Sequence, residues 1–214
     1  TRADISGQSF PFGTCLQFTV GFAPVTAFRI TYVGELGYEL YIPTEFAVHV
    51  YESLWEAGQN LGIKNAGYRT IASMHLEKGY ADWGSELTPE YTPYDAGLGF
   101  CVALEKDGFI GKEALTRVKN KGPKWKLCSF TLDVEEPVMI QSSAPIVHKG
   151  SVLGVTSSSG YGHTVKKNIC YAYIPAEDAG RDDGFEIEVY QKLYPLKLEP
   201  GRVLYDPERE KIIV

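Results

Sequence analysis

Short bursts of alternating or β-rich residues open the chain. Positions 16–20 and 28–32 predict two strands, being alternating in type or rich in β-branched and aromatic side chains. Gly34-Glu35-Leu36-Gly37 then reads as a turn and 38–42 as a third strand, closed by Pro43 with Thr44 as the N-cap of a helix. Phe46, Val50 and Leu54, with Tyr51 and Trp55 alongside, recur at helical spacing, and Gly58 and Gly62 stand where a helix stop is expected. A second helix is predicted over 68–78, with Ile71, Met74 and His75 on one side and Gly79 just beyond. A polar loop with Pro89 and Pro93 follows over 83–95. The run 98–104 predicts a buried strand, and 112–121 a short helix that turns basic toward its C-terminal end, as the helix dipole favours.

Beyond Gly122-Pro123 the pattern changes. Strand-like runs recur over 127–132, 146–148, 152–156, 169–174, 185–190 and 193–198, with no convincing helix among them. Lys149-Gly150 and Gln191-Lys192 sit where two-residue hairpin turns belong. Short strands at this spacing predict a small barrel or sandwich. The expected fold class is thus α+β: an antiparallel sheet with helices over 1–122, then an all-β domain over 123–214.

Composition narrows the function classes. The 214 residues are 44% hydrophobic, enough for one large domain or two small ones. With a formal net charge of −6 and no long basic run, neither nucleic acid nor an anionic membrane is an expected partner. No apolar stretch approaches the length of a membrane span. Cys15, Cys101, Cys128 and Cys170 are widely spaced among apolar residues, without CxxC or metal-ligand spacing, and are expected to be buried, reduced thiols, with structural disulfides and then a catalytic cysteine as the lesser alternatives; no metal site is expected.

The most informative segment is Tyr32-Val33-Gly34-Glu35-Leu36-Gly37-Tyr38-Glu39-Leu40. Two glycines free the backbone to turn tightly, and two carboxylates stand four residues apart around that turn. On a strand, Glu39 points opposite Tyr38 and Leu40, toward the face that lacks the core. A carboxylate fixed there can accept two parallel hydrogen bonds from a flat N–H edge, or can be one of two solvated surface acids.

This segment resembles the glycine-cleavage T-protein motif and is even more similar to that of sarcosine and dimethylglycine dehydrogenases. The resemblance continues through Asn65-Ala66-Gly67-Tyr68-Arg69, Leu76-Glu77-Lys78-Gly79-Tyr80, Trp83-Gly84, Thr92-Pro93-Tyr94-Asp95-Ala96-Gly97-Leu98 and Phe109-Ile110-Gly111-Lys112-Glu113-Ala114-Leu115. It reaches Gly154-Val155-Thr156-Ser157 and the stretch from Lys166 through Cys170 to Pro175. It implies an aminomethyltransferase-type folate-binding core over 1–122, lacking its N-terminal segment, followed by the T-protein type of C-terminal β-barrel.

By this resemblance Glu39 holds the pteridine ring of tetrahydrofolate, whose adjacent ring N–H and amino group match a carboxylate. Glu35 is a second folate contact or a turn stabiliser. Tyr32 lines the pterin slot or packs as a half-buried strand residue. Trp83 stands near the folate or anchors its loop, and Tyr205 corresponds loosely to an aromatic that approaches the ligand from the barrel. Where T-proteins carry arginines, this chain has Ile71 and His75; His75 is a ligand contact or a helix-face histidine, and the departure favours the dehydrogenase type. His49, His148 and His163 are expected to be structural.

The resemblance further implies that the catalytic aspartate lies upstream of this chain. Asp4 belongs to the approach to the motif and is not that residue. No glycine-rich dinucleotide fingerprint is present, so FAD would belong to the parent protein and not to this chain, which alone would be inactive. The implied function is transfer of a one-carbon unit, from an imine or formaldehyde equivalent derived from an N-methyl amine, to tetrahydrofolate, giving 5,10-methylenetetrahydrofolate. The alternatives are an aminomethyltransferase that works with a lipoyl carrier protein, or a non-catalytic regulatory relative. Bacterial relatives imply the cytoplasm and eukaryotic ones the mitochondrial matrix.

Overall fold

A computed structural model of the chain describes residues 1–134, 136–181 and 183–213. They divide into two compact units, Thr1–Met74 with Asp206–Val214, and His75–Tyr205.

The first unit carries a three-stranded antiparallel sheet in the order β1-β2-β3: β1 (Cys15–Val20), β2 (Ala23–Phe28) and β3 (Glu39–Tyr41). The predicted strand at 28–32 is corrected to β2, which ends where that prediction begins. Past Arg29, whose N–H still bonds the Thr14 carbonyl, the Thr31 hydroxyl accepts the N–H groups of Val33 and Gly34 and folds the chain into a bend. Alternation does the rest. Val20, Ala23 and Val25 turn inward with Phe18, Leu40 and Val50, while Cys15, Gln17, Thr26, Phe28, Glu39 and Tyr41 share the opposite side of the sheet.

Helix α1 (Ala47–Gly58) buries Val50 against this sheet. Thr44 does not cap it: a 3-10 turn, Thr44–Phe46, intervenes after Pro43, and Phe46 takes the N-cap position without a side-chain bond. Gly62 is left-handed at the end of the following 3-10 turn, as a stop requires.

Helix α2 (Tyr68–Lys78) falls where the sequence puts it. Gly79, at φ 76°, donates to the Leu76 carbonyl and Tyr80 to that of His75, the paired bonds of a Schellman stop. A Cβ on Gly79 would also come within 2.8 Å of the Arg202 carbonyl carbon, so glycine is required twice over. The predicted strand at 98–104 is not one. Gly99–Cys101 is a 3-10 turn whose backbone groups are satisfied locally, and it leaves Phe100 and Cys101 exposed. Helix α3 (Lys112–Lys121) matches its prediction and ends at Gly122, whose φ is 83°.

Six strands, β4 (Trp125–Leu132), β5 (Pro145–His148), β6 (Ser151–Gly162), β7 (Lys167–Pro175), β8 (Phe185–Val189) and β9 (Lys192–Leu198), close into an antiparallel barrel in the order β4-β7-β6-β5-β8-β9. Cys128, Phe130, Leu132, Cys170, Ala172 and Ile174 fill its interior. The alternate positions Leu127, Ile169, Tyr171 and Tyr173 pack outward with Leu76 and Ala96, so β7 is buried on both faces. Lys149-Gly150 forms the expected hairpin turn with both φ positive. The other turn is Tyr190-Gln191 rather than Gln191-Lys192, because Val189 pairs with Lys192. A short α4 (Glu210–Ile213), absent from the sequence reading, follows Asp206, whose carboxylate accepts the N–H groups of Glu210 and Lys211.

Buried polar groups fasten the second unit. Glu77, 2% exposed, accepts the Thr164 and Val165 N–H groups at 2.6 and 3.0 Å on one carboxylate oxygen. Its own carbonyl accepts those of Leu204 and Tyr205. Asn168 binds Val138, Val134 and Glu136 backbone groups. Asp95 accepts from Thr92 and from the Trp125 N–H, and its carbonyl accepts the Leu127 N–H. Glu199 accepts from the Thr131 hydroxyl at 2.7 Å and pairs with Lys167 and Lys197. Burial alone would raise the Glu199 pKa. Hydrogen bonds from Thr131 and Lys197 and the two lysine charges outweigh it, so the net shift is downward.

The four thiols are free but only Cys128 and Cys170 are buried, which corrects the expectation for Cys15 and Cys101. Cys15 occupies an outward strand position and Cys101 the exposed turn. Burial pushes the Cys128 thiol up to about 11 and that of Cys170 to about 12. Thiol labelling followed by mass spectrometry should therefore modify Cys15 and Cys101 in the native protein, and the other pair only after denaturation. Glu77→Ala deprives two partly buried N–H donors of their acceptor and should cost about 1–3 kcal/mol, a fall in Tm of roughly 2 °C or more, while Glu77→Gln, which keeps an acceptor oxygen, should lose much less. Glu199→Gln should lower Tm by about 2–4 °C at neutral pH. Because the Glu199 pKa is depressed on folding, that difference should be full above the unfolded carboxyl pKa of 4.5 and shrink as pH falls below it.

Candidate functional site

The bend between β2 and β3 is built by sequence-local chemistry. Thr31 fixes its start, Gly34 is left-handed at φ 79°, and Gly37 closes it. A Cβ on Gly37 would lie 2.9 Å from the Ile30 carbonyl oxygen, so only glycine lets the two ends of the loop approach. Tyr38 then anchors the exit, donating its hydroxyl to the Ile5 carbonyl at 3.1 Å while its ring meets Phe10 at 5.7 Å.

This clamp delivers Glu39 to the first position of β3, opposite Phe28. Leu40 joins the core beneath the sheet, and Glu39 is exposed on the other side, as its alternation requires. Tyr41 donates its hydroxyl to Glu39 Oε2 at 3.3 Å, and its ring meets Phe28 edge-on at 5.1 Å. The carboxylate is therefore accessible and oriented, and stands beside two aromatic rings. It can accept from a flat donor edge whose apolar surface the rings help cover. Tyr32 and Glu35 are half-buried in the same bend. The sequence singled out Tyr32, Glu35 and Glu39; the pair Phe28 and Tyr41 was missed, although their positions 11 residues before and two after Glu39 follow from hairpin register.

Trp83 and Tyr205 belong to the second unit. Trp83 is 86% exposed at the tip of a loop that Glu86 holds down. Fully buried Glu86 accepts the Asp82 N–H at 2.8 Å and the Ser157 hydroxyl at 2.5 Å, and its carbonyl accepts the Tyr173 hydroxyl. Glu86 and Glu77 gave no signal in the sequence, because a glutamate in a polar stretch reads as a surface residue. Tyr205 is half-buried, bonded through its N–H to the Glu77 carbonyl, with the Lys78 ammonium 5.7 Å from its ring centroid. His75 is buried in α2. His49 stacks on Phe22 at 3.9 Å, His148 Nδ1 lies 2.9 Å from an Arg181 nitrogen, and His163 meets Tyr161 edge-on. Among the described residues no three His, Cys, Asp or Glu side chains converge as metal ligands, and no helix is long and apolar enough to cross a membrane.

Comparison with known proteins assigns both parts of the chain. Residues 1–106 match the family model described as the GCVT N-terminal domain, and residues 126–206 that of the glycine cleavage T-protein C-terminal barrel domain. The chain is 36% identical over 214 residues to mitochondrial dimethylglycine dehydrogenase of Mus musculus, covering 99% of this chain and 24% of that protein. It is 38% identical over 179 residues to mitochondrial sarcosine dehydrogenase of the same organism, covering 83% of this chain and 19% of that protein. The chain thus spans about a quarter or less of the length of these two relatives. The glycine cleavage system aminomethyltransferase T from Bartonella henselae has the same fold, with a TM-score of 0.81 at 24% identity over 93% of this chain and 54% of that one. Two family models in order along the chain and a shared sheet-then-barrel fold leave one assignment: the chain belongs to the glycine-cleavage T-protein (aminomethyltransferase) family.

Proposed function

We propose that this chain is the tetrahydrofolate-binding C-terminal portion of an N-methyl-amine dehydrogenase of the sarcosine and dimethylglycine type, which passes a one-carbon unit to tetrahydrofolate to give 5,10-methylenetetrahydrofolate. One observation carries the reading. Glu39 is exposed on the outer side of the sheet and steadied by Tyr41, and the resemblance makes it the residue that would hold the pterin. The pterin edge, a ring N–H beside an amino group, is the partner such a carboxylate suits.

The residues present fit that ligand. Glu39 would accept the pterin's two donors and so fix the ring's orientation, and Phe28 and Tyr41 flank it with apolar surface. Tyr32 and Glu35 would complete the slot from the bend. Trp83 and Tyr205 are proposed as further aromatic contacts on the family resemblance alone. Bound folate supplies the nitrogens that accept the one-carbon unit. The protein's contribution is largely positional, since holding both reactants makes their meeting effectively unimolecular. In this reading the catalytic aspartate and the FAD that oxidises the amine are supplied by the parent protein.

Calorimetric titration of tetrahydrofolate into the parent protein and into this chain tests the reading. Glu39→Ala should weaken binding about 30- to 100-fold, the loss of a bidentate charge-assisted contact, with Tm unchanged because Glu39 lies outside the core. Unchanged affinity in the variant would remove Glu39 from the site. Absence of folate binding by the unmodified parent would refute the function itself.

A further inference from the structure

Phe28 and Glu39 are the last pair of the β2–β3 ladder, and the ladder by itself does little to hold the carboxylate. β3 has three residues and lies at the edge of the sheet, with β2 as its one neighbouring strand among the described residues. A strand so short frays readily unless something outside the ladder fixes its end. The Tyr41 hydroxyl, 3.3 Å from Glu39 Oε2, belongs to the same short strand and cannot anchor it.

The anchor comes from residues 5–14, which precede β1. Arg29, next after Phe28, is tied to them through backbone and side chain. Its N–H donates to the Thr14 carbonyl at 3.0 Å, its carbonyl accepts the Gly13 N–H at 2.8 Å, and guanidinium Nη1 donates to the Phe10 carbonyl at 2.7 Å. Tyr38, immediately before Glu39, reaches the same segment through its hydroxyl, on the Ile5 carbonyl, and through its ring, against Phe10. Phe10 is thereby shared, its carbonyl on Arg29 and its ring on Tyr38. The segment is also folded on itself: the Phe10 N–H donates to the Ser6 carbonyl at 2.8 Å and the Thr14 hydroxyl to the Pro11 carbonyl at 2.6 Å. Arg29 is 2% exposed and Phe10 1%, so both are shielded from anything bound at the surface. An apolar side chain would fill the place of Arg29 at lower desolvation cost. The guanidinium adds a directed bond that fixes Phe10 against the end of the ladder.

We propose that residues 5–14 brace the Glu39 carboxylate for the pterin, with Arg29 and Tyr38 as positioning residues that act through Glu39 rather than on the ligand. The inference rests on the folate reading above. Accepting two parallel hydrogen bonds requires a carboxylate held within about 0.5 Å and roughly 10–20° of its productive position. The brace grips the chain at both residues flanking the Phe28–Glu39 pair, and so fixes that pair without entering the exposed side on which Glu39 stands.

Tetrahydrofolate titration of the parent protein in two backgrounds tests the brace. Tyr38→Phe keeps the ring and drops the tie to Ile5, and Arg29→Met keeps the stem and drops the guanidinium. Each should weaken binding about 3- to 10-fold when Glu39 is present. In the Glu39→Ala background each should change affinity by less than about twofold, because the group they position is gone. Residues that only stabilise the unit would cost the same in both backgrounds, and that result would overturn the proposal, as would unchanged affinity in Tyr38→Phe. Hydrogen–deuterium exchange on the ligand-free full chain gives an independent readout, in which the amides of 39–41 should exchange faster in Tyr38→Phe. If the unmodified parent binds no folate, the folate reading fails on its own, and unchanged exchange over 39–41 would overturn the brace as well.

Discussion

The second unit depends on the carboxylate of Glu77. One oxygen gathers two N–H groups from the turn between β6 and β7, and the same residue's carbonyl gathers two more from the chain leaving β9. Four donors from two distant segments thus meet one residue at the end of α2. Around it, the Tyr171 hydroxyl reaches the Leu76 carbonyl at 2.6 Å, and Gly79 lets the Arg202 backbone pass close by. A buried charge is tolerable only where its lone pairs are taken up, and here they are taken up by groups that would themselves be unsatisfied without it. The helix end, the barrel and the segment bearing Tyr205 are consequently one hydrogen-bonded body.

Much of the fold was legible because periodicity and punctuation agree. Helices α2 and α3 end at glycines that adopt positive φ, and the six barrel strands announce themselves by β-branched and aromatic runs between turns. What misled were places where hydrogen bonding overrode composition. Thr31 bends a β-rich stretch that would otherwise extend β2, and 98–104 satisfies its backbone by local turns despite its apolar residues. The Tyr190-Gln191 turn slipped by one residue because composition marks a turn without fixing register.

The candidate folate site was legible for a different reason. Strand alternation alone puts Glu39 opposite Leu40, and the glycine spacing around it marks a loop that must close tightly. Of its neighbours, Tyr41 follows from the same alternation two residues on, whereas Phe28 meets Glu39 only through cross-strand pairing. Glu77, Glu86, Asp95, Asn168 and Glu199 were not legible, because their burial depends on contacts with residues far along the chain.

The barrel closes on a narrow seam. β9 pairs with β4 over Phe130, Thr131 and Leu132 and then departs, leaving the start of β4 without a neighbouring strand on that edge. Asp95, which precedes the barrel by 30 residues, takes the place of the missing strand for the N–H groups of Trp125 and Leu127. The barrel is therefore sealed by a residue that its own stretch of sequence does not contain. A barrel excised at its first strand would expose a raw edge and invite another molecule to complete it, so the unit that can travel intact between proteins is longer than the six strands that define its shape.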